Sequence, residues 1–165
     1  MSNFRIYQQM ALRSLRAVLA LFWVMALGQT VQCQNKSQYF SQYRSLADSL
    51  SESYKIPACV ILSVAFVESG GGTSAVARKL NNHFGIVGKN NPEVSGLKSK
   101  YRHFPSIKES FIGFCELVAR KKFYPQVKGS DDVKLWLDKI AATGYAANAS
   151  LWSGHIFNLA KSSCR

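Results

Sequence analysis

After residue 37, apolar side chains recur at steps of three and four, with polar residues between them. Tyr39, Tyr43, Leu46, Ala47, Leu50 and Tyr54 form the first such stripe. Its opposite face is polar, so this helix is expected on the outside of a domain. Lys55-Ile56-Pro57 interrupts the pattern, and proline suits the first turn of the helix that follows. Pro57 to Ser69 is apolar nearly all round, which predicts the central buried helix. Gly70, Gly71 and Gly72 end it, because glycine past a helix end adopts the left-handed conformation without strain. Thr73 or Ser74 then caps a short helix from Ala75 to Leu80, which Asn81 and Asn82 terminate.

Residues 87–100 (VGKNNPEVSGLKSK) break the periodicity and predict a loop or at most a short irregular hairpin, with Tyr101 to Phe104 returning as a short strand. Ser106-Ile107-Lys108-Glu109 is a capping box that opens a helix running to about Lys122, ended by Phe123-Tyr124-Pro125. Ser130 or Asp131 caps the next helix, whose stripe is Val133, Trp136, Leu137 and Ile140. Gly144 to Asn148 is a compact turn. A last helix from about Ser150 to Ser162 turns Trp152, Ile156 and Leu159 inward. Six helices with little strand make the class mainly α, with one polar insertion.

The first residues have a different character. Arg5, Arg13 and Arg16 precede the apolar run Ala17 to Leu27, and Ala26-Leu27-Gly28 supplies small residues for cleavage before Gln29. This predicts an export signal over 1–28, a short linker over 29–36 and one domain over 37–165. The apolar run is about half of the ~20 residues a spanning helix needs, so no stable membrane span is expected after cleavage. The 165 residues, 47% of them hydrophobic and 18% charged, suit one globular domain with a core. Without residues 1–28 the chain carries 18 basic and 9 acidic residues, a net charge of +9. An exported basic protein, here expected to be a monomer, suits an anionic cell-envelope polymer. Dense Lys/Arg blocks interleaved with aromatics are missing, so nucleic acid is not expected. Of the cysteines, Cys59 and Cys115 lie on apolar helical stretches and read most simply as buried hydrophobes. Export permits disulfides, and Cys33 with Cys164 is one of the pairings that four cysteines allow. His83, His103 and His155 share no ligand spacing, so neither metal nor cofactor is expected.

One residue conflicts with its surroundings. Glu68 sits at the end of the most apolar helix, on one stripe with Ile61, Val64 and Ala65. Apolar neighbours and the negative end of the helix dipole both raise the proton affinity of a carboxyl group. A carboxyl that keeps its proton near neutrality is what a general acid requires, and glycosidic cleavage is one reaction that uses such an acid. The three glycines are expected to leave the space beside it open. The alternative is a glutamate that snorkels to solvent or pairs with Arg78 or Lys79. Asn81, Asn82 and Phe84 either line the same cleft or form a structural turn with Phe84 buried.

The run VESGGGTSAVARKLNNHFGI resembles the signature of the bacterial peptidoglycan endo-β-N-acetylglucosaminidases of glycoside hydrolase family 73, found in autolysins and flagellar rod hydrolases. That signature is a helix ending in Glu-Ser-Gly, a Gly-x-Ser turn and Asn-Asn-x-Phe-Gly-Ile. KYRHFPSIKESFIGFCELV is similar to the family's following strand and helix start, and KIAATGYAANASLWSGHIFNLA to its last block, which usually reads Gly-Tyr-Ala-Thr-Asp. The likeness spans about residues 53–162. It implies a lysozyme-like helical domain with a short loop or β-hairpin insertion. It also implies hydrolysis of the GlcNAc–MurNAc bond of peptidoglycan glycan strands at the periplasm or cell surface. By the same resemblance Glu68 is the general acid and Tyr145 a cleft tyrosine that helps hold the substrate, although Tyr145 also reads as a packing residue at a helix turn; Asn82, Phe84 and Asn148 are the further residues expected to contact substrate.

Two departures bear on this. Family members usually place a second acidic residue in a β-lobe; here the insertion is short and Glu93 is its only carboxylate. Glu93 either takes that catalytic role or is a solvated loop residue, in which case the substrate's own N-acetyl group supplies the nucleophile. Asn148 stands where aspartate is usual. A lytic transglycosylase on the same fold and a non-catalytic wall-binding protein are the competing readings.

Overall fold

A computed structural model of the chain describes residues 35–164. The expected export signal and nearly all of the linker lie outside the described residues. Lys36, assigned to the linker, is already helical.

Helix α1 (Lys36–Tyr54) starts where the Asn35 side chain accepts a hydrogen bond from the Ser37 backbone N–H. It buries Tyr39, Phe40, Ala47 and Leu50 and leaves its polar face to solvent. Helix α2 (Ala58–Ser69) follows Pro57 and ends at Gly70, whose φ of 59° is the left-handed cap that glycine permits. Val60, Ile61, Leu62, Val64 and Ala65 are all fully buried, so α2 is the central helix. Helix α3 (Ala75–Leu80) is capped by Ser74 and closed by Asn81 in the left-handed region.

The insertion carries a one-turn helix, α4 (Pro92–Ser95), which the sequence pattern does not announce. Its two arms meet in a single antiparallel bridge between Val87 and Tyr101. The Arg102 N–H donates to the Ile86 carbonyl at 2.7 Å and Gly88 N–H to Lys100 O at 3.1 Å. The expected hairpin is thus reduced to one rung.

Helix α5 (Ile107–Ala119) opens on Ser106, whose hydroxyl accepts from the Glu109 N–H. It stops at Ala119, ahead of the expected end, and Pro125 then sits in the first turn of a one-turn helix, α6 (Tyr124–Val127). Helix α7 (Val133–Ile140) is capped by Asp132 and not by Ser130 or Asp131; Ser130 instead accepts a bond from the Asp132 N–H. A π-helical turn (Ala141–Tyr145) follows, with Gly144 at φ 78°. Helix α8 (Ala149–Ser163) is capped by Asn148. Helix α2 packs against α1, α5, α7 and α8, and these also pack on one another, α1 on α5 and α7 on α8. Among the described residues no helix is long and apolar enough to cross a membrane.

The cysteine reading needs correction. Cys59 is not a free buried thiol: it forms a disulfide with Cys164 across 105 residues. That bond ties the start of α2 to the end of α8. Cys115 is free and buried, as its apolar stripe implies. Cys33 lies outside the described residues.

Candidate active site

Glu68 lies in the last turn of α2, half-buried, at the wall of an open cleft of about 480 Å³. One wall is the segment from Phe84 to Val87, and Lys100 and Tyr101 return beside it. Leu117 comes from the last turn of α5 and Lys121 from the turn after it. The π-helical turn closes the other side with Thr143, Gly144 and Tyr145.

The carboxyl group has one direct partner. Trp152 Nε1–H donates to Glu68 Oε1 at 2.6 Å, reaching from the first turns of α8. Burial raises the proton affinity of Glu68 above the ordinary carboxylate range, and the Trp152 N–H, which favours the ionised form, offsets part of that rise. Neither Arg78 nor Lys79 takes part in an ion pair among the described residues, and both are exposed. Glu68 therefore sits in its cleft as a desolvated acid with one oriented oxygen.

The glycine that opens the space beside Glu68 is Gly85. A Cβ built there would lie 3.5 Å from Glu68 Oε2 and 3.8 Å from the Tyr101 ring, and its φ of 62° disfavours any side chain. Gly70, Gly71 and Gly72 form the helix end and do not line the cleft; their N–H groups turn back on α2, as when Gly72 N–H donates to Ser69 Oγ at 2.7 Å.

The other expected site residues separate into two groups. Tyr145 is in the cleft, its ring against Trp152 and its hydroxyl donating to the Phe84 carbonyl at 2.6 Å. Burial and the nearby Glu68 carboxyl push its phenol well above the ordinary tyrosine range. Phe84 contributes backbone to the wall, but its ring stacks on Phe114 with centroids 4.3 Å apart and belongs to the core. Asn82 is 1% exposed and has no free polar atom to offer a ligand. Its amide donates to Ile86 O and Arg102 O and accepts from the Phe84 and Ile86 N–H groups, pinning the loop that shapes the cleft. Asn148 is spent on capping α8, accepting from Leu151 N–H at 3.1 Å. Glu93 is exposed on α4 and does not line the cleft. The Asn82 side chain is thus buried and turned to the loop backbone, and Glu93 does not line the cleft with Glu68.

Two residues escaped the sequence reading. Trp152 appears there only as an inward-facing residue, although a buried indole N–H needs an acceptor and so signals a polar partner. His83 is 2% exposed, with Nδ1 2.6 Å from the Tyr39 hydroxyl oxygen. Burial drops its pKa from 6.5 to about 4, so it is neutral and structural. Among the described residues no group of three or more His, Cys, Asp or Glu side chains could hold a metal ion.

A helical domain whose central helix delivers one desolvated carboxyl to an open cleft is an arrangement suited to glycoside hydrolysis. The family model described as mannosyl-glycoprotein endo-beta-N-acetylglucosaminidase matches residues 44–163, and the chain belongs to this glucosaminidase family. No curated protein matches at a significant level. Three solved structures share the fold, each with a TM-score of 0.60. One is a type VI secretion system effector–immunity complex from Pseudomonas protegens, 22% identical over 78% of this chain and 92% of that one. Another is a peptidoglycan hydrolase from Sphingomonas sp. A1, 20% identical over 75% and 86%. The third is a C-terminally truncated glycoside hydrolase domain from Salmonella typhimurium FlgJ, 18% identical over 78% and 97%.

Proposed function

We propose that this protein is an exported peptidoglycan hydrolase that cuts the β-1,4 bond on the reducing side of GlcNAc in the GlcNAc–MurNAc strand. The observation that carries this reading is the half-buried Glu68 carboxyl, held by Trp152 at the edge of an open cleft. Its raised proton affinity suits donation to the glycosidic oxygen as the C–O bond breaks. Tyr145 lines the sugar path, and its hydroxyl oxygen retains acceptor capacity. Glu68 is the only carboxylate among the described residues that line the cleft. The carbonyl oxygen of the substrate's 2-acetamido group is then the available nucleophile: it bonds to C1 as the leaving oxygen takes the Glu68 proton. Water, deprotonated by the Glu68 carboxylate, opens the resulting oxazolinium ion and restores the acid. The Cys59–Cys164 bond supports export, because disulfides persist in oxidising compartments. The likeness to the peptidoglycan hydrolase from Sphingomonas sp. A1 supports peptidoglycan as substrate.

The single-carboxylate cleft also suits a lytic transglycosylase, in which a substrate hydroxyl replaces water. Mass spectrometry of digested peptidoglycan separates the two. The hydrolase reading expects new reducing GlcNAc ends, none with Glu68→Gln, and wild-type-like yield with Glu93→Gln. Anhydro-sugar ends would transfer the assignment to the transglycosylase. Loss of cleavage in Glu93→Gln would restore a second catalytic carboxylate.

A further inference from the structure

The cleft carries charge that the proposed chemistry does not use. Lys100 lines it from the arm returning from the insertion, and Lys121 from the turn after α5, so the two lysines belong to different walls. Elsewhere three exposed cations pair along a helix, Arg44 with Asp48, Arg120 with Glu116 and Lys134 with Asp138. Neither cleft lysine takes part in an ion pair among the described residues. Lys100 Nζ instead lies 5.6 Å from the centroid of the Tyr101 ring, and Lys121 is half-buried. Glu68, the one carboxyl on the cleft, is bonded to Trp152. Two cations facing one concave, walled space raise its potential for anions above that of the open surface.

We propose that Lys100 and Lys121 form a carboxylate-binding pair, so that the cleft selects glycan bearing carboxylates beside the scissile bond over a neutral N-acetylglucosamine polymer. This rests on the glycosidase reading above. Peptidoglycan offers such a carboxylate in two ways: the lactyl group of a MurNAc that has lost its peptide, and the acidic groups of an attached stem peptide. Lysine suits both, since its ammonium is a compact point charge on a flexible stem and does not demand bidentate geometry.

The test uses the full chain carrying Glu68→Gln, which can bind without cutting. Its affinity is measured by calorimetry for peptide-free glycan strands, for the same strands with their carboxyls converted to neutral amides, and for peptide-bearing strands. Carboxylate-bearing strands are expected to bind about tenfold more tightly than amidated ones, a difference of ~1.4 kcal/mol. That gap should shrink as salt is added and vanish with Lys100→Gln plus Lys121→Gln. Each single substitution should remove part of it, which keeps the test intact if the double variant folds poorly. A gap with only one of the two carboxylated ligands also supports the pair and identifies the source. Equal affinities for charged and amidated strands, no binding to either, or a gap that survives the lysine substitutions would overturn it. Wild type that leaves peptidoglycan uncut would sink the glycosidase reading itself. Wild type that cuts, with a lysine-independent affinity, sinks only this inference.

Discussion

His83 makes folding stability depend on pH in a way that can be isolated. It sits in the loop that shapes the cleft, 2% exposed, between Tyr39 and Tyr43 of α1 and Phe111 of α5. Its Nδ1 meets the Tyr39 hydroxyl, and its backbone N–H donates to Ser110 Oγ at 3.4 Å. No charged side chain is in contact with the ring in these pairings, so burial alone lowers its pKa from 6.5 to about 4. The unfolded chain takes up a proton as pH falls through 6.5, while the native chain resists until about 4. Stability from this residue is therefore complete above pH 6.5 and is lost as pH falls between those values, with a slope of about 1.4 kcal/mol per pH unit. The full loss is roughly 3 kcal/mol, a large share of a typical domain's stability. Urea unfolding from pH 7.5 down to pH 4, on wild type and His83→Gln, reads this directly. Glutamine keeps polar atoms near Tyr39 and cannot titrate. Wild type should lose about 3 kcal/mol more than the variant over that range. Parallel stability curves for the two proteins would refute the assignment of His83 as a buried neutral group.

The other predictions concern the cleft and the disulfide. Glu68→Gln should lower peptidoglycan cleavage at least about a thousandfold, by loss of the general acid. The same substitution should raise thermal stability at neutral pH and leave it unchanged well below pH 4.5: a carboxyl whose folded proton affinity is raised stabilises least once ionised, and glutamine avoids that cost. A stability loss at neutral pH, seen by calorimetry, would contradict the desolvation argument. Trp152→Phe removes a hydrogen bond to a charged group, worth ~1.5 kcal/mol or more, so the plateau rate should fall about tenfold. Because that N–H favours the ionised carboxyl, the alkaline limb of the pH–rate profile should move to higher pH; a move to lower pH would exclude Trp152 as the donor. Replacing Cys164 by serine opens a loop of 105 residues, for which chain entropy gives up to about 4.7 kcal/mol. Scanning calorimetry should then show a Tm lower by roughly 10 °C or more, and an unchanged Tm would mean the bond does not form in the native protein.

Much of the fold is legible along the chain because its causes are local. Ser74, Ser106 and Asn81 act within a few residues of where they stand, and each ends or begins the helix expected of it. The one-turn helices at Pro92 and Tyr124 are not legible, since four residues carry too short a pattern to separate from a turn. Asn82 shows the limit for the site. Asparagine in a loop beside an acid looks like a ligand-binding group until the partners of its amide are known, and two of them, Ile86 O and Arg102 O, come from the two arms of the insertion.

By itself the sequence determined that the protein is mainly helical, that α2 is its central helix, and that this helix ends in a carboxyl its neighbours would rather keep protonated. Periodicity, caps and the cost of an ion in apolar surroundings are enough for that, since each acts over one or two helical turns. Only the tertiary structure decided what faces that carboxyl. Packing brings Trp152 to Glu68 across 84 residues and Cys164 to Cys59 across 105, and it leaves Glu93 in solvent outside the cleft. Hydrogen bonds and disulfides act only at contact distance, and which distant residues reach contact is set by how the surrounding helices bury their apolar faces against α2.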